Sequence, residues 1–166
     1  MPDALAIVTR IISEHHAIRE HVKLARDTVN DIEALFTLQG AQTRWTQSSL
    51  TALIEKRGQL VQAINFLQQG LRNHFNFEEQ ALLPLLGELL AKAVVREHNQ
   101  ISMQINDVKA AVAGMQLEGL EPRELISRKS LIEQHISNLR RMVEEHTLHE
   151  EAILKMMKDA LEANTA

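Results

Sequence analysis

The sequence predicts an all-α protein, an up-down-up-down bundle of four long helices that forms a single domain over residues 1–166. Three observations lead to this fold. Apolar residues recur in alternating steps of three and four along four long segments, which is the pattern of a packed helical seam. The 166 residues include only six glycines and three prolines, too few turn-forming residues for an all-β protein. These glycines and prolines, which interrupt helices, fall mainly between the segments. A chain of this length is one ordinary domain.

The first two helices are predicted over residues 3–36 and 46–83. The seam of the first helix is apolar except for one polar residue, His15. The seam of the second helix continues to Leu85. Its polar residues are Arg57, His74 and Glu78.

The last two helices are predicted over residues 85–117 and 122–163. Pro84 and Gly87 are expected to form a tight turn where the third helix begins. The only polar residue in the third seam is His98. The polar residues of the fourth seam are Lys129, His146 and Glu150.

The composition excludes several classes of function. The 18 basic and 22 acidic residues give a net charge of -4, whereas nucleic-acid-binding proteins normally carry a basic excess. The absence of cysteine excludes disulfides, thiolate chemistry and iron–sulfur clusters held by this chain, and the absence of tyrosine excludes a tyrosyl radical. No apolar run approaches the roughly 20 residues of a membrane helix, and none follows a basic start as in a signal peptide. We therefore expect a cytosolic, cytoplasmic protein.

Each predicted helix places a histidine at one buried seam position. Burying imidazoles and carboxylates among Leu and Ile costs on the order of several kcal/mol unless their polar atoms find partners. At about 1.5 Å per residue, the four seam histidines lie roughly 14 to 26 Å from the same end of the bundle, which is compatible with one layer. We therefore expect a single site formed by His15, His74, Glu78, His98, His146 and Glu150.

The candidate site is repeated within the chain. Residues 74–79 (HFNFEE) match residues 146–151 (HTLHEE), and an E-H-x-x-I frame begins at both residue 14 and residue 97. His and Glu four residues apart face the same way on a helix. Four imidazoles and two carboxylates that can bridge suit a pair of first-row metal ions, with iron the best fit. The Glu-x-x-His pairs of ferritin-like bundles and the HExxH pattern of zinc proteases are both absent.

On these residues the chain resembles the hemerythrin-like family, also called the HHE cation-binding domain. The shared order is H…HxxxE…H…HxxxE, with one motif per helix along the whole chain. The resemblance implies a non-haem centre of two iron ions, held by the histidines and bridged by both carboxylates and an oxo or hydroxo group. Such centres bind dioxygen, peroxide or nitric oxide.

The chain departs from oxygen-carrying hemerythrins at two positions. Ser102 stands where those proteins have a fifth ligand histidine, four residues after the histidine of the third helix. Their fourth-helix carboxylate is an aspartate five residues after its histidine, whereas here Glu150 is the fourth residue and Glu151, the fifth, is the second candidate. The missing imidazole implies a more open site, which suits sensing or redox chemistry better than reversible oxygen transport.

Other histidines and glutamates have weaker claims to the site. We prefer His15 to His16 as a ligand because His15 shares a face with the apolar seam. The other histidines predicted to lie outside the site are His21, His135 and His149. Surface positions are predicted for Glu79 and Glu151. Hydrogen bonds to metal-bound imidazoles and ordinary solvated positions both remain open for Glu14, Glu97 and Glu145.

The leading functional prediction is a di-iron protein that binds or senses a small oxidant, with a role in oxygen binding or oxidative stress. One alternative is a di-iron oxidoreductase acting on peroxide or nitric oxide, and another is an iron donor or metal-stabilised scaffold. The expected partner is a small diatomic or peroxide ligand, with no nucleic acid and no membrane. A homo-oligomer is left open, because a bundle of this length could expose a face for dimerisation.

Overall fold

The structure is a computed structural model that describes the backbone of residues 3–40, 47–114 and 122–165, and the side chains of residues 3–32, 51–114, 124 and 127–164. The described backbone forms five helices and contains no strand. They are α1 (Ala4–Gly40), α2 (Gln47–Ala81), α3 (Leu83–Leu86), α4 (Glu88–Ala113) and α5 (Pro122–Thr165). The all-α prediction is confirmed, and four of these helices are long.

The predicted number of helices is wrong by one short helix, α3, which forms where a tight turn was expected. Pro84 lies in its first turn, where a missing N–H group breaks no helical hydrogen bond. Gly87 follows with a φ of 81°, a left-handed conformation that glycine adopts without strain. This break shifts the register of the helix surface. Leu85, predicted as a seam residue, is therefore 47% exposed, while Leu82 is fully buried.

The other helix ends differ from the predicted ones by a few residues. α1 continues past residue 36 to Gly40, and α2 ends at Ala81 rather than at residue 83. The predicted start of the second helix at residue 46 and the predicted end of the third at residue 117 lie outside the described residues.

The four long helices form a ring in which each one contacts two others. α1 packs against α2 and α5, and α4 packs against the same two helices. The predicted seams face the inside of this ring: the described seam residues of α1 from Val8 to Ile32, and those of α4 from Val94 to Val112, are all buried. Within the described part of the chain, no helix combines the length and the apolar character needed to span a membrane.

Two apolar clusters fill the interior and leave a place for the polar seam residues between them. The smaller cluster comprises Ile7, Val8, Ile11, Leu82 and Leu154. The larger one begins at Ile18 on α1 and includes Leu67 on α2 and Val143 on α5. His15 lies on α1 between the two clusters, so the fold places its polar seam residues in an interior shielded on both sides by aliphatic side chains.

Candidate metal centre

Six polar side chains lie together in the interior, and we call them the polar layer. They are His15, His74, Glu78, His98, His146 and Glu150, and each is at most 3% exposed. Nitrogen or oxygen atoms of five of them lie within 4.8 Å of one another. His98 joins this group because its Nε2 lies 2.9 Å from Glu78 Oε2. The six residues predicted from the sequence are thus brought together by four different helices.

Glu78 lies between two pairs of histidines. Its Oε1 faces the first pair, at 3.5 Å from Nε2 of His15 and 2.7 Å from Nε2 of His74. Its Oε2 faces His98, which belongs to the second pair. The two oxygens of this carboxylate are therefore directed to different halves of the layer.

Glu150 lies between the same two pairs and repeats this arrangement. Its Oε1 is 3.3 Å from Nε2 of His15, and its Oε2 is 3.2 Å from Nε2 of His146. The layer therefore has two similar halves, each with two imidazoles and one oxygen from each carboxylate. Each half therefore presents nitrogen and oxygen atoms of the kinds that first-row metals accept as ligands.

Eight buried nitrogen and oxygen atoms of the polar layer, each a possible metal ligand, have no hydrogen-bond partner of acceptable geometry. They are the four histidine Nε2 atoms and the four carboxylate oxygens of the two glutamates. Several of them approach within 2.7–3.5 Å, but they converge on shared space instead of pointing at one another. Each unpaired buried polar group costs about 1–3 kcal/mol, and coordination to a cation would satisfy all eight atoms at once. The residues present therefore fit a first-row metal such as iron, which accepts mixed nitrogen and oxygen ligands.

Four further glutamates surround the polar layer and contact the other nitrogen of each ring; we call them the outer carboxylates. The Nδ1 atoms of His15, His74, His98 and His146 lie 3.3, 2.8, 3.0 and 2.7 Å from oxygens of Glu151, Glu14, Glu79 and Glu97, respectively. Because a carboxylate only accepts hydrogen bonds, each Nδ1 is assigned the proton and donates it. Each Nε2 atom then faces the centre. Metal-ligating histidines are commonly oriented in this way.

Sequence reasoning identified only part of this outer set. Glu79 and Glu151 lie partly at the surface, with side chains 41% and 29% exposed, but their bonds to histidines were not anticipated. Of the glutamates left open, Glu14 and Glu97 bond to histidines, whereas Glu145 is exposed and pairs with an arginine four residues before it. The available signal was the repeat itself, because each outer carboxylate directly precedes a layer histidine or directly follows a layer glutamate.

The electrostatics of the layer show a demand for positive charge at its centre. Burial opposes ionisation of Glu78, but the imidazoles of His15, His74 and His98 outweigh it and hold its pKa well below the usual range. Burial and the neighbouring carboxylate raise the pKa of Glu150 to about 7. Burial would lower the pKa of His15, but the two carboxylates raise it to about 9. Two carboxylates buried so close together therefore need a proton or a metal cation between them.

The remaining histidines lie outside the polar layer. His16 and His21 are exposed, so it is the neighbouring His15 that reaches the interior. His135 is partly buried and contacts a glutamine of α4. His149 has a side chain 66% exposed, and its Nδ1 donates to Glu97 at 2.8 Å, which links the centre to the surface.

The chain was compared with known families, curated proteins and solved structures. It matches the family model described as the Hemerythrin HHE cation binding domain over residues 6–157, a range that contains the whole polar layer and all the outer carboxylates. The comparisons with curated proteins and with solved structures found no match. Because the matched range covers far more than half of the 166 residues, the chain belongs to the hemerythrin HHE cation-binding domain family.

Proposed function

We propose that this chain is a di-iron protein that binds or senses a small oxidant, namely dioxygen, peroxide or nitric oxide, at the polar layer. The observation that carries the proposal is the set of eight buried, unpaired donor atoms arranged in two similar halves. In this proposal His15 and His74 would hold one iron, His98 and His146 would hold the other, and Glu78 and Glu150 would each offer an oxygen to both halves. The proposal includes a single domain over residues 1–166 whose long helices alternate in direction.

The residues around the centre have two tasks in this proposal. The outer carboxylates keep the Nδ1 protons in place, so that the four Nε2 atoms point inward, and a metal ion would displace any proton held on Nε2. The apolar clusters on either side limit water around the centre. When bound, iron supplies redox chemistry and open coordination positions for a small ligand. The chain contains no cysteine or tyrosine that could share this redox work.

The proposal is tested by loading the protein with ferrous iron under anaerobic conditions and adding oxidant in known amounts. We expect an optical change that saturates at about one oxidant per pair of irons and then stays constant with excess dioxygen or nitric oxide. A protein that holds iron but shows no optical response to any of the three oxidants would contradict the proposal.

A polar cleft that reaches His98 favours a second candidate, an oxidoreductase acting on peroxide or nitric oxide. Steady-state disproportionation of peroxide in large excess over the protein to water and dioxygen, measured as dioxygen release with an oxygen electrode, would support this candidate over binding and sensing. Stoichiometric consumption that stops after one event would exclude it. Rapid loss of iron to a mild chelator would instead indicate an iron donor or a metal-stabilised scaffold.

A further inference from the structure

Two clefts on opposite sides of the bundle lead towards the polar layer. The first, which we call the α2–α4 cleft, has a volume of about 310 Å³ and is lined by residues that include Phe75, Glu79, His98 and Ser102. The second, the α1–α5 cleft, has a volume of about 210 Å³ and is lined by residues that include Arg19, Val22, Arg140 and Val143.

The internal repeat makes these two clefts counterparts of each other. Aligning His15 with His98 pairs Arg19 with Ser102, and it also pairs Val22 with Ile105. The alignment of residues 74–79 with residues 146–151 can be continued towards the N-terminus, where it pairs Leu71 with Val143 and Gln68 with Arg140. In each pair, one residue lines the α2–α4 cleft and the other lines the α1–α5 cleft. The clefts can therefore be compared position by position.

The α1–α5 cleft is closed at its inner end by Arg19. The guanidinium donates to Glu151 Oε1 at 3.0 Å and to Thr147 Oγ1 at 3.0 Å. Thr147 is only 1% exposed, so this bond reaches into the protein, although the Arg19 side chain as a whole remains 37% exposed. The lining of the cleft accordingly stops short of both His15 and Glu151.

The α2–α4 cleft has no such plug, because its counterpart of Arg19 is Ser102. A serine side chain is too short to reach Glu79, the counterpart of Glu151. The cleft therefore continues inward to Phe75, Glu79 and His98. The ring of Phe75 stacks on that of His98, with centroids 3.9 Å apart and planes 14° apart, and both residues line the cleft.

The lining of the α2–α4 cleft is rich in uncharged groups that both donate and accept hydrogen bonds. Besides Ser102, these groups are Asn76 and Asn99, together with Gln68 and Asn106, which bond to each other at 3.1 Å; the charged Arg72 also lines the cleft. A peroxide also donates and accepts hydrogen bonds, whereas a diatomic gas gains little from such a lining. The lining therefore matches a ligand of the peroxide class better than a diatomic gas.

We propose that the α2–α4 cleft, left open by Ser102, is the access route and outer binding site for a ligand of the peroxide class, while Arg19 closes the equivalent route. This proposal rests on the proposed di-iron function. It makes the two halves of the centre unequal, with the half that contains His98 the one that meets the ligand first.

The two plug positions can be exchanged, which gives a matched pair of variants. Ser102→Arg transfers the plug to the α2–α4 cleft, where the introduced guanidinium can bond Glu79. Arg19→Ser opens the α1–α5 cleft. Ser102→Met provides a neutral side chain of plug-like length, in case the arginine disturbs folding. Circular dichroism and thermal unfolding check the fold of each variant.

The first readout needs no metal. The full-length, iron-free protein is treated with diethyl pyrocarbonate, and mass spectrometry follows the modification rate of each histidine, with exposed His16 as the internal standard. We expect Ser102→Arg to slow modification of His98 roughly tenfold or more, because the reagent can pass only when the introduced arginine breaks its charge-assisted hydrogen bond to Glu79. The modification rate of His15 should stay the same. Arg19→Ser should accelerate modification of His15. The proposal would be overturned if both Ser102→Arg and Ser102→Met fold and the reagent modifies His98 in each of them at the original rate.

The second readout uses the iron-loaded protein and stopped-flow mixing with hydrogen peroxide or dioxygen. Ser102→Arg should slow the peroxide response by a similar factor and the dioxygen response less. Equal slowing of both responses would overturn the assignment to the peroxide class. Iron content is measured for the unsubstituted protein, whose failure to bind iron would refute the proposed function, and for every variant, so that a loss of iron is distinguished from a blocked access route.

Discussion

Glu14 and Glu97 show how single residues prepare the centre. Each directly precedes a histidine of the polar layer, yet each bonds to a histidine on a different helix, at 2.8 and 2.7 Å from Nδ1 of His74 and His146. The layer residues were predictable from one sequence, because a buried polar residue interrupts an apolar seam visibly. The outer carboxylates were not, because they lie at the edges of the helices, and only the rotation of neighbouring helices determines which imidazole they meet.

Removing one outer carboxylate tests its positioning role. We expect Glu14→Gln to weaken iron binding about 10–100-fold, because the neutral amide no longer fixes the proton on Nδ1 of His74. Competition with a coloured chelator measures this affinity. Glu145→Gln is the matched control, since Glu145 is exposed and pairs only with Arg141 among the described residues. Equal affinities for the two variants would show that Glu14 plays no part in orienting the ligand.

The adjacent pair His15 and His16 offers a second test at this scale. His15→Ala removes a layer imidazole that faces both layer carboxylates, so we expect iron content to fall by at least half. His16→Ala changes an exposed side chain and should leave iron content as it was. Metal analysis after identical loading compares them, with circular dichroism to check helicity. Full iron content in a folded His15→Ala protein would remove His15 from the ligand set.

At the scale of the helix, the seams were the most predictable feature and the breaks the least. The alternation of three and four defines which face of α1 and α4 is buried, and every described seam residue there is buried. The short α3 was missed, because Pro84 fits either a tight turn or the first turn of a helix. The outcome was decided by tertiary packing, in which Leu82 rather than Leu85 enters the core.

Two glycines separate the effects of helix propensity and backbone conformation. Gly70 lies within α2, and an added Cβ meets nothing within 4 Å, so Gly70→Ala should raise the free energy of unfolding by about 0.5–1 kcal/mol. Gly87 is equally open but has a φ of 81°, so Gly87→Ala should lower it by about 1–2 kcal/mol. Chemical denaturation of both variants gives the values. A stabilised Gly87→Ala protein would contradict the described connection between α3 and α4.

At the scale of the whole molecule, the bundle carries a polar layer that a hydrophobic core of this kind does not need. The two apolar clusters could pack continuously if aliphatic residues replaced the six layer residues. Instead, eight nitrogen and oxygen atoms are buried without hydrogen-bond partners, and bound metal would offset this cost. Depth along four helices was enough to predict that the layer forms. The internal repeat also predicted a site made of two similar parts, but it could not predict which carboxylate oxygen faces which imidazole, because that depends on how each side chain is rotated.

Removing the metal should therefore destabilise the entire bundle. Because metal binds the folded centre and not the dispersed ligands of the unfolded chain, saturating iron should raise the midpoint of thermal unfolding by about 5–10 °C. Differential scanning calorimetry of iron-free and iron-loaded protein measures the shift. An unchanged midpoint at full iron content would place the bound metal outside the polar layer.

The number of irons per chain tests the central claim most directly. Anaerobic loading followed by oxygen exposure, removal of loose metal, metal analysis and an optical spectrum gives both the count and the type of centre. The two halves of the polar layer predict two irons per chain and a near-ultraviolet band from an oxo-bridged pair. A single tightly held zinc, or no retained metal, would contradict the account.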